Sequence, residues 1–235
     1  MRILNIVPCN ADVFTPDMEA YLRTHLGEET VIESVRLQEG KPSIEGEYDE
    51  MVNTPHVVEL AIRGEKNGCD AVFINCFGDP GVRAARECVD IPVFGGFEPA
   101  VLLALGLGDR IGIVTVVPNV VPLIRRNVAA AQLDGRIVTA RNVGIPVLAL
   151  KSTGDLSAAI AAEAKKAVVE NNVEVIVLGC TGMVDVAEEV KRLLNADGFD
   201  IPVIEAAKSA VMMLELYVKM GLKHSRLTYL PPAEK

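Results

Sequence analysis

Asp70-Ala71-Val72-Phe73-Ile74-Asn75-Cys76 and Glu174-Val175-Ile176-Val177-Leu178-Gly179-Cys180 are the two stretches on which the fold turns. Each runs from an acidic residue through four apolar residues to a cysteine. A short apolar run of this kind, bounded by turn signals, marks a strand covered on both faces, as in a parallel sheet. The likeness extends outward from both cysteines. Arg2-Ile3-Leu4-Asn5-Ile6-Val7-Pro8 reads like Arg110-Ile111-Gly112-Ile113-Val114-Thr115-Val116-Val117-Pro118, and Asp90-Ile91-Pro92-Val93 like Asp200-Ile201-Pro202-Val203. The copies stand about 104 to 110 residues apart, far beyond the repeat of a solenoid. The chain therefore reads as α/β, with two similar doubly wound parallel-sheet lobes related by an approximate two-fold axis.

Strands are predicted over 2–7, 30–35, 71–75, 93–95, 110–116, 137–141, 175–178 and 203–204, with helices in most intervals. Lobe 1 takes residues 1–100 together with a C-terminal helix and tail, 206–235. Lobe 2 takes 101–205. Half of the 235 residues are hydrophobic, only 4% are aromatic and none is Trp, so the core is built from Val, Ile, Leu and Ala. A net charge of -9 without a basic run argues against nucleic acid as a partner. No apolar stretch reaches the roughly 20 residues of a membrane span, and the chain opens on a strand instead of a signal core, so a cytoplasmic protein is expected.

Five cysteines, none in a Cys-x-x-Cys pair, agree with a reducing compartment. His25, His56 and His224 are scattered at no ligand-like spacing, so no metal is expected and they read as surface or helix residues. A single Cys after an apolar strand is more often a small buried hydrophobe than a reactive group. Cys76 and Cys180 differ in being matched across a duplication. Cys69 and Cys88 have no counterparts and read as packing residues. In open parallel sheets the ligand crevice lies beyond the carboxyl ends of the strands, and two such ends facing each other make one cleft between the lobes.

Each matched cysteine leads into a turn with glycine, Cys76-Phe77-Gly78-Asp79-Pro80-Gly81 and Cys180-Thr181-Gly182-Met183. Backbone amides at a helix start bring a thiol from ~8.5 to between ~3.5 and ~7.5. Asp79-Pro80 predicts an N-cap with Pro in the first turn, starting a helix three residues after Cys76, and Asp185 the matching cap. Inverting a carbon centre by moving its hydrogen needs a base on one face and an acid on the other. Two equivalent thiols satisfy that symmetry. The charge that develops on the neighbouring carbonyl oxygen needs donors aimed at it, which the turns at Phe77, Gly78, Thr181 and Gly182 can supply as backbone N–H groups. No organic cofactor is called for. Dinucleotide and P-loop fingerprints are absent, no His stands near a strand end to make a Cys-His dyad, and Ser43 reads as a polar ligand contact or a turn residue.

Cys76-Phe77-x-Asp79-Pro80-Gly81, Leu178-Gly179-Cys180-x-Gly182-Met183 and Ser43-Ile44-Glu45-Gly46 followed by Tyr48-Asp49 resemble the Asp/Glu/hydantoin racemase superfamily, in its hydantoin and allantoin racemase branch. The motifs run in order across most of the chain and are specific as a set. The resemblance implies a cofactor-independent racemase acting on the C5 centre of a small-molecule substrate, a 5-substituted hydantoin or allantoin, with Cys76 and Cys180 as the two bases, and a homo-oligomer. It also implies that Ser43 and Ile44 reach the ligand and that Thr115 and Thr181 line the cleft.

Two places depart from the branch. Where it carries Asn-Pro-Asn followed by Ser or Thr, this chain has Val7-Pro8-Cys9-Asn10, so Cys9 and Asn10 would meet the substrate differently, with Cys9 either a third thiol or a packing residue. Gly96-Phe97-Glu98-Pro99 replaces small or amide residues and either alters the pocket or begins a helix. The amino-acid racemases of the superfamily carry Cys-Asn-Thr and Gly-Cys-Thr-His or Gly-Cys-Thr-Glu, against Cys76-Phe77-Gly78 and Thr181-Gly182 here. An aspartate- or glutamate-type racemase, an isomerase or decarboxylase of the same superfamily, and a non-catalytic small-molecule binding module stand as alternatives.

Overall fold

The computed structural model describes residues 1–11, 15–152 and 154–233. Eight strands alternate with helices in the order β1 Arg2–Val7, α1 Thr15–Arg23, β2 Val31–Arg36, α2 Glu47–Lys66, β3 Ala71–Ile74, α3 Val82–Cys88, β4 Val93–Phe94, α4 Phe97–Leu105, β5 Ile111–Thr115, α5 Val120–Ala130, β6 Ile137–Asn142, a 3-10 helix Val147–Ser152, α6 Leu156–Asn171, β7 Val175–Leu178, α7 Ala187–Ala196, β8 Val203–Glu205 and α8 Ala206–Lys219. Two four-stranded sheets result, ordered β2-β1-β3-β4 and β6-β5-β7-β8. Every pairing is parallel. Strands fall within a residue or two of the sequence expectation. Phe97 and Glu98 do begin a helix.

The internal repeat is a repeat of register. Ile6 stands opposite Ile74 as Val114 stands opposite Leu178, and Val72 opposite Val93 as Ile176 opposite Val203. Bonds beyond the strand ends match as well. Asn75 N–H donates to the Ile6 carbonyl at 2.8 Å and Gly179 N–H to the Val114 carbonyl at 2.7 Å. At the opposite ends the carboxylates of Asp70 and Glu174 accept the N–H of Arg2 and Arg110. Those two arginines in turn donate to carbonyls at the end of the helix that leads into β3 or β7, Asn67 in one case and Asn171 with Asn172 in the other. Parallel sheets need cover on both faces, and the inner strands β3, β5 and β7 are buried throughout, while the edge strands β2 and β6 are mostly half-buried or exposed.

The chain divides into two compact units, residues 1–95 with 210–235, and residues 96–209. In the first, Leu4, Ile6, Val72 and Ile74 pack with Val57 and Ala61 of α2 and Val82 and Ala85 of α3. Gly64 lets α2 lie close on the sheet, since a Cβ there would come 2.5 Å from Leu4 Cδ2. Cys69 belongs to this cluster and Cys88 packs against it, as the unmatched cysteines were expected to do. Among the described residues no helix is long and apolar enough to cross a membrane.

Candidate active site

In the first unit the loops after β1, β2 and β3 gather at the carboxyl end of the sheet. The last rung of β3 is Asn75, and the chain leaves the sheet at Cys76, which is half-buried. Phe77 is buried behind it, 2% exposed. A Cβ added at Gly78 would lie 3.7 Å from Cys76 Sγ and 4.0 Å from Glu50 Oε2 of α2, so the thiol and a carboxylate flank the same glycine. Cys9 and Asn10 follow β1. Asn10 Nδ2 donates to the Gly40 carbonyl at 2.8 Å and its N–H to the Lys41 carbonyl at 3.1 Å, fastening this loop to the one that carries Ser43 and Ile44.

A second amide completes the fastening. Asn53, fully buried on α2, accepts the Lys41 N–H at 2.7 Å and donates to the Pro8 carbonyl at 2.8 Å. Nothing in the sequence around Asn53 announces this role, because its partners are 12 and 45 residues away. Gly40, at φ +108, is held to glycine by the same side chain, whose Oδ1 would be 2.4 Å from a Cβ.

The second unit repeats the layout with different residues. Gly179 follows β7, and Cys180, half-buried, comes next. A Cβ at 179 would stand 2.6 Å from Ile113 Cγ2 and 3.1 Å from Thr115 Cβ, so glycine is what the close approach of β5 and β7 allows. Thr115, fully buried at the end of β5, donates its hydroxyl to the Gly179 carbonyl at 2.8 Å. Thr181 is buried, and the Gly182 N–H points at Cys180 Sγ at 3.4 Å. The nine residues proposed from sequence as ligand contacts thus fall into two sets: Cys9, Asn10, Ser43, Ile44, Phe77 and Gly78 at one sheet end, Thr115, Thr181 and Gly182 at the other.

The expected caps take a different form. Asp79 sits at φ +56 and Asp185 at φ +57, neither in the extended backbone an N-cap adopts. Helix α3 begins only at Val82, after Gly81. The Asp79 carboxylate instead fills the space beside Gly95, where a Cβ would come 2.1 Å from its Oδ1. In the second unit the first amides of α7 are served by Glu205 at the end of β8, whose Oε1 accepts from Val186 N–H at 3.1 Å and Ala187 N–H at 3.4 Å. A buried carboxylate closing an apolar strand, Val203-Ile204-Glu205, was the available signal.

Burial is the main influence on Cys9, pushing its thiol up and holding it protonated, only partly offset by the Ala11 carbonyl contact and by Arg36. His224 accepts the Val93 N–H on Nε2 at 2.9 Å and so serves the edge strand β4. Among the described residues no group of three or more His, Cys, Asp and Glu is placed to hold a metal ion.

Comparison with known proteins places the arrangement. The Asp/Glu/hydantoin racemase family model matches residues 6–214. A hydantoin racemase of Pseudomonas sp. (strain NS671) is 35% identical, over 100% of this chain and 93% of its own length. One from Paenarthrobacter aurescens is 32% identical, over 100% of this chain and 99% of its own. Among solved structures, an allantoin racemase from Klebsiella pneumoniae superposes with a TM-score of 0.92 at 32% identity, covering 100% of this chain and 95% of that one.

Proposed function

Because the chain belongs to the Asp/Glu/hydantoin racemase family and is a racemase, we propose that it inverts the C5 centre of a 5-substituted hydantoin or of allantoin by moving a proton through Cys76 and Cys180. The observation that carries this reading is the shared rung. The two cysteines directly follow residues whose N–H groups make the same bond to the same partner strand position, at the carboxyl ends of β3 and β7.

In one direction a thiolate takes the C5 hydrogen as a proton and the electron pair passes into the adjacent carbonyl. The opposing thiol then gives its proton to the other face of C5, and the electron pair returns to form the new C–H bond. One sulfur has gained a proton and the other has lost one, so the enzyme is left ready for the reverse enantiomer. The amide of Gly182 aimed at Cys180 Sγ favours an ionised sulfur there. Backbone N–H groups of the two turns, at Phe77, Gly78 and Thr181, are the candidates to meet the carbonyl charge. Ser43 and Ile44 wall the ring, while Asn10 and Thr115 hold the frames in which these groups sit. No step draws on a metal or an organic cofactor. The five cysteines, none in a disulfide, suit a reducing compartment such as the cytoplasm.

The test is racemisation in deuterated buffer, followed by optical rotation and by deuterium at C5. Either enantiomer should wash in deuterium as it racemises. Cys76→Ser and Cys180→Ser should each lower racemisation by about 10²–10⁴-fold, while one-sided exchange of a single enantiomer survives. Since two enantiomers have equal free energy in water, kcat/KM must fall equally in both directions. Near-normal racemisation by either variant overturns the two-thiol reading.

A further inference from the structure

Asn75 is 7% exposed, and neither its Nδ2 nor its Oδ1 finds a hydrogen-bond partner among the described residues. Buried side-chain amides are almost always paired, since leaving both a donor and an acceptor dry opposes folding. Asn5, another buried amide of the same sheet, has an unpartnered Oδ1 but gives its Nδ2 to Ser34 Oγ at 3.0 Å. Asn75 has both ends open, and it occupies the last rung of β3, one residue ahead of Cys76, where the ligand crevice of an open parallel sheet lies.

We propose that Asn75 is a substrate-reading residue whose carboxamide pairs with an adjacent N–H and C=O of a cyclic ureide. This rests on the racemase reading above. A carboxamide offers one donor and one acceptor in one plane, the arrangement by which an Asn reads the edge of an adenine. A hydantoin ring offers the complement along its rim, where each N–H stands beside a C=O. Nδ2 donates to the ring carbonyl and Oδ1 accepts the ring N–H. An α-amino acid, with an ammonium and a carboxylate, presents no such edge, so the amide selects the ring over the open amino acid.

Unsubstituted hydantoin and its N1-methyl and N3-methyl forms are the probes, since a methyl group removes one donor and leaves the ring. Calorimetric titration of the wild-type chain should show at least one methyl form binding about ten- to a hundredfold more weakly than the parent. In Asn75→Leu, and in Asn75→Ala should leucine overfill the site, that discrimination should shrink at least fivefold. The melting temperature should hold or rise, because an unpaired buried amide has been replaced by an apolar group. A chain that racemises 5-substituted hydantoins but whose preference for the parent ring changes less than fivefold in both variants overturns the inference and leaves the racemase reading standing. A wild-type chain that neither racemises nor binds the ring overturns both.

Discussion

Asn75 and Gly179 hold the same rung in two sheets of the same order, yet one is a buried amide without a partner among the described residues and the other is a glycine whose Cβ would stand 2.6 Å from Ile113 Cγ2. The strand ends beside them differ in the reverse sense. Gly95 follows β4 and yields its side-chain space to the Asp79 carboxylate, whereas Glu205 ends β8 and sends its own carboxylate onto the start of α7. Backbone register has survived the duplication and the side chains have diverged around it. Two strand ends that share the rungs to Ile6 and Val114 therefore present different chemistry beside their cysteines.

The sharpest way to break this comparison is Gly95→Ala, which would place a Cβ 2.1 Å from Asp79 Oδ1 and 3.1 Å from Asp79 Cα. We expect a loss of about 3 kcal/mol, read as a melting temperature lower by roughly 6–12 °C. Combining it with Asp79→Gly, which removes the carboxylate and suits φ +56, should restore at least about 1 kcal/mol in a double-mutant cycle. Additive losses would show that the two positions do not compete for space.

Gly179→Asn, which gives the second half the residue of the first, comes next. Its Cβ would press on Ile113 Cγ2 at 2.6 Å and approach the Val114 carbonyl at 3.3 Å, for a cost of about 2 kcal/mol in chemical denaturation. An unchanged midpoint would mean that β5 and β7 can part without penalty. The smallest effect is that of Glu205→Gln. Two amide donors keep an acceptor but lose its charge, which should cost about 1 kcal/mol or less, again read from the denaturation midpoint. A larger loss would assign Glu205 a role beyond holding α7.

Legibility followed the reach of each interaction. The matched runs ending at Cys76 and Cys180 could be read because a strand buried on both faces writes its burial directly into consecutive residues. Asn53 and His224 could not, since each serves a backbone group that only the folded chain brings near. Asp79 misled because Asp before Pro ordinarily signals a helix start, whereas here it stands in a left-handed backbone with its carboxylate beside Gly95, sixteen positions on. The polar surroundings of Cys76 and Cys180, Glu50 beside Gly78 in one unit and the Gly182 N–H in the other, were not legible, because only the folded loops bring them near.

The first unit takes its final segment from residues 210–235. Glu215 accepts from Thr30 Oγ1 and the Gly27 N–H, and Arg226 and Tyr229 serve Asp90 and Arg86, contacts spanning 136 to 188 residues of sequence. On a ribosome adding about 5–20 residues each second, every residue of the second unit is made before those partners exist. The half of the molecule translated first is thus the last to be finished, and through the interval its sheet must wait with α3 and β4 unbraced.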